Sequence, residues 1–220
     1  IVKGILSIGL APFLMYVCSS VIVILINRAL RFHGGDLYIG AYSNVNRIAM
    51  LFVMVVMGLN QGMQPIVGYN FGARKIDRVI RTLKYVICCA VGVTTTGFTV
   101  CQLFPRYITM LFTDDPTLLD ISSHALRIVL AMFPFIGFQM VTSNFFQSIG
   151  MAPKAIFLSL TRQLLFLVPF LLTLPIFFEA DGVWMSMPLA DAAATTLAAI
   201  LLWRQFRKFR TMQHQPSLHP

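Results

Sequence analysis

The chain has 220 residues, 57% of them apolar and only 11% charged, with a mean hydropathy of +0.77. Ordinary globular chains carry about 25% charged residues, so a water-facing surface cannot be built here and a soluble domain is excluded. Disordered, collagen-like and disulfide-scaffold classes go too, because Phe and Met are abundant, the 14 Gly show no period and only 4 Cys are present; a polytopic membrane protein remains.

Uncharged runs mark the spans, since a membrane-crossing helix needs about 20 apolar residues. Between Lys3 and Arg28 lie 24 uncharged residues, between Arg47 and Arg74 26, between Lys84 and Arg106 21, and between Arg127 and Lys154 26. Two further segments follow, one holding only Arg162 and the other only Asp191. Six helical spans are therefore predicted, at about 5–27, 39–67, 85–105, 128–149, 155–178 and 183–203. Barrel strands would be about 10 residues long and strictly alternating, so the fold class is an all-α transmembrane bundle. The polar tail 211–220 is expected to be disordered and cytoplasmic. An opening of Ile1-Val2-Lys3, without initiator Met or signal-peptide features, is expected of a piece of a longer protein.

Orientation follows from Lys and Arg. One side collects Lys3, Arg74, Lys75, Arg78, Arg81, Lys84, Lys154, Arg204, Arg207, Lys208 and Arg210; the other has Arg28, Arg31, Arg106 and Arg127. Both chain ends are thus predicted on the cytoplasmic face, as expected of a protein in a bacterial inner (plasma) membrane. The net charge of +9 reflects this topology and contact with anionic lipid, so no nucleic-acid partner is inferred.

Intramembrane enzymes are disfavoured. No His falls within a predicted span, Glu179 is the sole glutamate, and neither phosphate-loop nor dinucleotide motifs occur, so no catalytic residue is assigned. Cys18, Cys88, Cys89 and Cys101 lie within spans without C-x-x-C spacing, which supports neither metal nor disulfide.

What the spans do contain is polar side chains in stripes. At 100° per residue the second span reads Asn44, Arg47, Met50, Met54, Met57, Gln61, Gln64 down one face. Amides, a guanidinium and polarizable thioethers suit an adaptable, wet cavity wall better than a lipid-facing surface. A second stripe, Met132, Ile136, Gln139, Ser143, Gln147, runs along the fourth span, with Asn144 off its edge. Substrate-contacting candidates are Asn44, Arg47, Met54, Gln61, Gln139 and Gln147. Charges at membrane depth need partners. Asp191 and Arg162 are structural or coupling candidates, and Arg47 lies at a depth that lets it pair with Asp191. Ala194, Thr195 and Ala198 share the face of Asp191 and suit close helix packing. Prolines 12, 65, 134, 169, 175 and 188 are possible bend points.

Four ordered motifs resemble one family. Gly58-Leu59-Asn60-Gln61-Gly62-Met63-Gln64-Pro65, with Gly68-Tyr69-Asn70-Phe71-Gly72-Ala73 ahead of a basic segment, is followed by Gln147-Ser148-Ile149-Gly150-Met151-Ala152-Pro153-Lys154. Leu160-Thr161-Arg162-Gln163 and Gly182-Val183-Trp184 with Pro188-Leu189-Ala190-Asp191 complete the set. Over roughly residues 1–205 they are similar to the C-terminal half, spans seven to twelve, of multidrug and toxic compound extrusion (MATE) transporters. Read for their own physics, Gly68 and Gly72 can turn the chain at the membrane face, and Gly150 with Pro153 can separate two spans.

The resemblance implies a twelve-helix antiporter exporting cationic amphipathic compounds in exchange for Na⁺ or H⁺, with no other cofactor. This chain would be the second six-helix lobe, and its partners the absent N-terminal lobe, membrane lipid and small cationic substrates. Some branches of the family place coupling carboxylates in spans seven and ten; here Ile5–Asn27 and Ile128–Met151 contain none, so no cation site is carried over. Two other readings are a flippase for lipid-linked saccharides and a non-transporting membrane assembly module.

Overall fold

A computed structural model describes residues 2–214, with side chains described for 16–209. The chain folds into helices α1 (Val2–Gly34), α2 (Asp36–Gly72), α3 (Ile76–Leu103), α4 (Pro105–Met110), α5 (Pro116–Val129), α6 (Phe133–Ser148), α7 (Ala152–Leu160) and α8 (Val168–His214). A 3₁₀ turn, Leu130–Met132, joins α5 to α6, and a π-helical segment, Thr161–Leu167, joins α7 to α8. No strand occurs among the described residues.

Five stretches are long and apolar enough to cross a membrane, and the last, Ala152–Phe209 with 58 residues, is long enough to do so twice. Its break falls at Glu179, where φ 48° and ψ −127° fold α8 into a hairpin with arms at 168–178 and 180–214. Six crossings result, as predicted. Most helices overrun their predicted limits by one or more turns, because long basic side chains at helix ends reach for the polar boundary without ending the helix.

Three expectations are corrected. The segment between the third and fourth spans is not a loop. Asp115 caps α5, accepting from the Thr117 N–H at 2.9 Å, and Pro116 occupies the first helical position, so an amphipathic helix feeds directly into the fourth crossing. Replacing Asp115 by Ala is expected to lower stability by about 1 kcal/mol in a thermal melt. Gly68 and Gly72 lie within α2 rather than at a turn; the left-handed residues there and after α6 are Arg74 (φ 58°) and Gly150 (φ 77°), the latter as anticipated. Helix α8 continues through Thr211 to His214, so only 215–220 of the expected tail lie outside the described residues.

Two apolar cores lie toward opposite ends. At the basic end Val56, Met63, Leu83, Phe145, Phe146, Leu202 and Phe209 pack together. At the other end Ile26, Leu30, Ile48, Leu126, Phe133 and Trp184 do so, with Tyr38 stacked on Trp184 at 6.3 Å. Between them runs a polar layer. Thr94 Oγ1 donates to the Pro134 carbonyl at 3.2 Å, and Gly137, lacking a Cβ, lets α6 approach Ala90 of α3 closely. Ala194 and Ala198 are buried and Thr195 Oγ1 donates to the Phe135 carbonyl at 3.4 Å, so the small-residue face of α8 packs as expected.

Candidate functional site

The polar layer opens into two cavities. The larger, about 750 Å³, is lined by Met57, Asn60 and Gln61 of α2, by Gln139, Met140, Ser143, Asn144 and Gln147 of α6, by α7, and by Arg162 and Gln163. The smaller, about 360 Å³, lies among α1, α2, α6 and α8 and is bordered by Ser19, Tyr42, Asn46, Phe133 and Asp191. Met140, Arg162 and Gln163 belong to both walls and so separate the two spaces.

Arg162 and Gln163 stand at this partition because the backbone is π-helical there. A π turn carries an extra residue per hydrogen-bonded ring, which swings adjacent side chains away from the α-helical azimuth. Arg162 Nε donates to Asp191 Oδ1 at 2.6 Å, and Gln163 Nε2 donates to Ser19 Oγ of α1 at 3.0 Å. Asp191 is only 5% exposed, whereas the Arg162 side chain keeps 35% of its surface in the cavities. Among the described residues these two are the only charged groups on either wall, and they neutralise each other. What remains is an amide, hydroxyl and thioether surface.

The expected pairing of Arg47 with Asp191 is therefore wrong. Their depths match, but Arg47 is exposed, lines neither cavity and forms no ion pair among the described residues, while the π segment delivers Arg162 to Asp191. The other candidates divide. Gln61, Gln139 and Gln147 lie on the wall of the larger cavity, with Gln139 only 5% exposed. Met54 is exposed and lines neither space. Asn44 is buried and turned away, its Nδ2 donating to Ser122 Oγ of α5 at 3.4 Å, a bond between helices. Sequence reasoning misses Asn60 and Gln163 as site residues. A signal exists for each, since Asn60 adjoins Gln61 and Gln163 adjoins Arg162.

A family model, MatE, matches residues 8–173, three quarters of the chain. The chain belongs to the MATE family. Among relatives, the multidrug export protein MepA of Staphylococcus haemolyticus is 25% identical over 201 residues, covering 91% of this chain and 44% of that protein. MepA of Staphylococcus aureus strain N315 is 25% identical over 206 residues, again 44% of its length. Among solved structures, the MATE multidrug transporter DinF-BH aligns with 36% identity and a TM-score of 0.79, over 92% of this chain and 46% of that one. A MATE in the bent conformation aligns over 97% of this chain with a TM-score of 0.87 at 22% identity, a likeness of fold alone. The chain thus spans about half the length of the relatives it matches, and those relatives are named as export proteins, not enzymes. The described helices form a MATE-type six-crossing bundle.

Proposed function

We propose that this MATE bundle is one lobe of a secondary multidrug antiporter, and that the larger cavity forms part of the path of cationic amphipathic compounds. The observation that carries this reading is the composition of the wall: Gln61, Gln139 and Gln147 interleave with Met57 and Met140, and the one guanidinium is already paired. Amides offer acceptors in several directions and thioethers adapt to shape, which suits guests of varied form. A cavity bearing a free cation would suit phosphate; with Arg162 paired to Asp191, lipid-linked pyrophosphate is the poorer fit.

On this reading this chain is the second lobe and the N-terminal lobe is its partner in the other half of the transporter, both ends of this chain are cytoplasmic, and the membrane is a bacterial inner membrane. Exchange is against Na⁺ or H⁺. The predicted first and fourth spans hold no carboxylate and Asp191 is engaged, so coupling falls to a carboxylate of the other lobe. Arg47 and Met54 are exposed and line neither cavity of this chain, and Asn44 is turned onto Ser122.

The test is efflux of a fluorescent cationic dye from cells expressing the intact gene product. Gln139→Ala removes one hydrogen-bonding group from the wall, and loss of one such bond is worth roughly 0.5–1.5 kcal/mol. Dye efflux is expected to fall by about two- to twelvefold at unchanged membrane abundance. Wild-type protein that exports no cationic dye, or a Gln139→Ala variant with full activity, would overturn the assignment.

A further inference from the structure

Three buried side-chain oxygens at the larger cavity have no hydrogen-bond partner among the described residues: Asn60 Oδ1 on α2, and Ser143 Oγ and Asn144 Oδ1 on α6. Asn60 is 2% exposed. Helical hydroxyls elsewhere in this bundle satisfy themselves on the carbonyl one turn back, as Thr142 does on Phe138 (2.8 Å) and Ser186 on Gly182 (2.7 Å). Ser143, next to Thr142 in sequence, makes no such bond. Buried polar atoms are nearly always paired, and three unpaired ones on a single cavity wall point to a partner that arrives from the cavity.

The chemistry of that partner follows from the atoms. Amide oxygens accept, and a hydroxyl with no acceptor of its own can accept as well. Among the described residues no unpaired charge lies on this wall, because Arg162 is held by Asp191, and the neighbouring wall is Met57, Met140 and Ile156. An anion offers no donor to the two amide oxygens and would leave them unpaired. A guest with several N–H donors on an apolar body would satisfy the oxygens and cover the thioethers together, and a positive charge on those donors strengthens each bond.

We propose that Asn60, Ser143 and Asn144 form an acceptor subsite for the N–H groups of cationic guests, so that this lobe favours amidinium and primary ammonium compounds over cations of equal charge without N–H. The proposal rests on the reading of the cavity as part of the drug path. Small rotations of the Ser143 and Asn144 side chains, both half-buried, bring their oxygens to the guest.

The experiment compares binding of two probes to the purified intact gene product in detergent: 4′,6-diamidino-2-phenylindole, a bis-amidine, and tetraphenylphosphonium, which has no donor. Variants are Ser143→Ala, Asn144→Leu and Asn60→Leu. Ser143→Ala removes a single oxygen and keeps the test valid should the buried Asn60 change fail to fold. Each folded variant is expected to weaken the bis-amidine about tenfold and to leave tetraphenylphosphonium within about twofold. Equal weakening of both probes would assign the three residues to packing and overturn the subsite. So would unchanged affinity for both. A wild-type protein that binds neither probe would instead overturn the drug-path reading itself, an outcome distinct from the other two.

Discussion

Replacing Asp191 by Ala is expected to lower the stability of the bundle by about 3 kcal/mol, one of the two largest single-site effects anticipated. Asp191 is 5% exposed and holds Arg162 through a 2.6 Å bond, so its removal leaves a guanidinium at membrane depth with no counter-charge. Breaking a buried ion pair from one side typically costs about 3–5 kcal/mol. The lower end applies because the Arg162 side chain keeps 35% of its surface in the cavities, where water relieves part of the penalty. Removing both charges should be far milder, since a buried pair replaced by apolar groups of similar volume is often close to neutral. Thermal melts in detergent of Asp191→Ala beside the double variant Arg162→Met with Asp191→Leu decide the matter. A double variant as unstable as the single one would mean that shape, not charge, is what the pair supplies.

The six crossings are legible in the sequence because exclusion of charge from hydrocarbon is a strong and local signal. It carries no azimuth. Arg47 and Asp191 therefore match in depth while facing different neighbours, and only the π segment, which leaves no mark in hydrophobic periodicity, accounts for Arg162 as the partner. Asn44 leaves the α2 stripe for a calculable reason. Its steps do not all match the helical repeat, and at 100° per residue they leave Asn44 roughly 100° from the Gln61 direction, which turns it onto Ser122 of α5. Gln61, Gln139 and Gln147 can be found because amides are rare enough in apolar runs to stand out. Asn60 sits about 100° from Gln61 and off the stripe, yet it lines the same cavity. Helix α5 escapes notice because charge counting treats Asp120 and Arg127 as loop residues, although the Asp115-Pro116 start signal stands in plain view.

Gly182→Val is expected to prevent the α8 hairpin from closing, with no monodisperse protein recovered, and Gly182→Ala to cost about 3 kcal/mol. A Cβ at Gly182 would lie 2.5 Å from the carbonyl carbon and oxygen of Leu174 and 2.6 Å from the Pro175 nitrogen. These are backbone atoms on the facing arm and no rotamer change moves them, so the whole arm would have to shift, at the upper end of what overpacking costs. The arms are fixed at this point by the left-handed turn at Glu179 and by Val183 and Trp184, both fully buried directly after Gly182. Gly58 offers the control, being helical with nothing within 4 Å of an added Cβ; Gly58→Ala should be neutral or stabilising by about 0.5–1 kcal/mol. Sizing and melting in detergent compare the three, and a Gly182→Ala protein as stable as wild type would show that the contact yields easily. The consequence reaches the site. Arg162 precedes the arm that ends at the turn, and Asp191 follows Gly182 by nine residues on the returning arm, so the close approach at Gly182 sets the register in which the two charges meet. An arm displaced by even one side-chain radius would part them, and the Gly182 variants should then lose stability that a charge-free Arg162→Met, Asp191→Leu background does not lose.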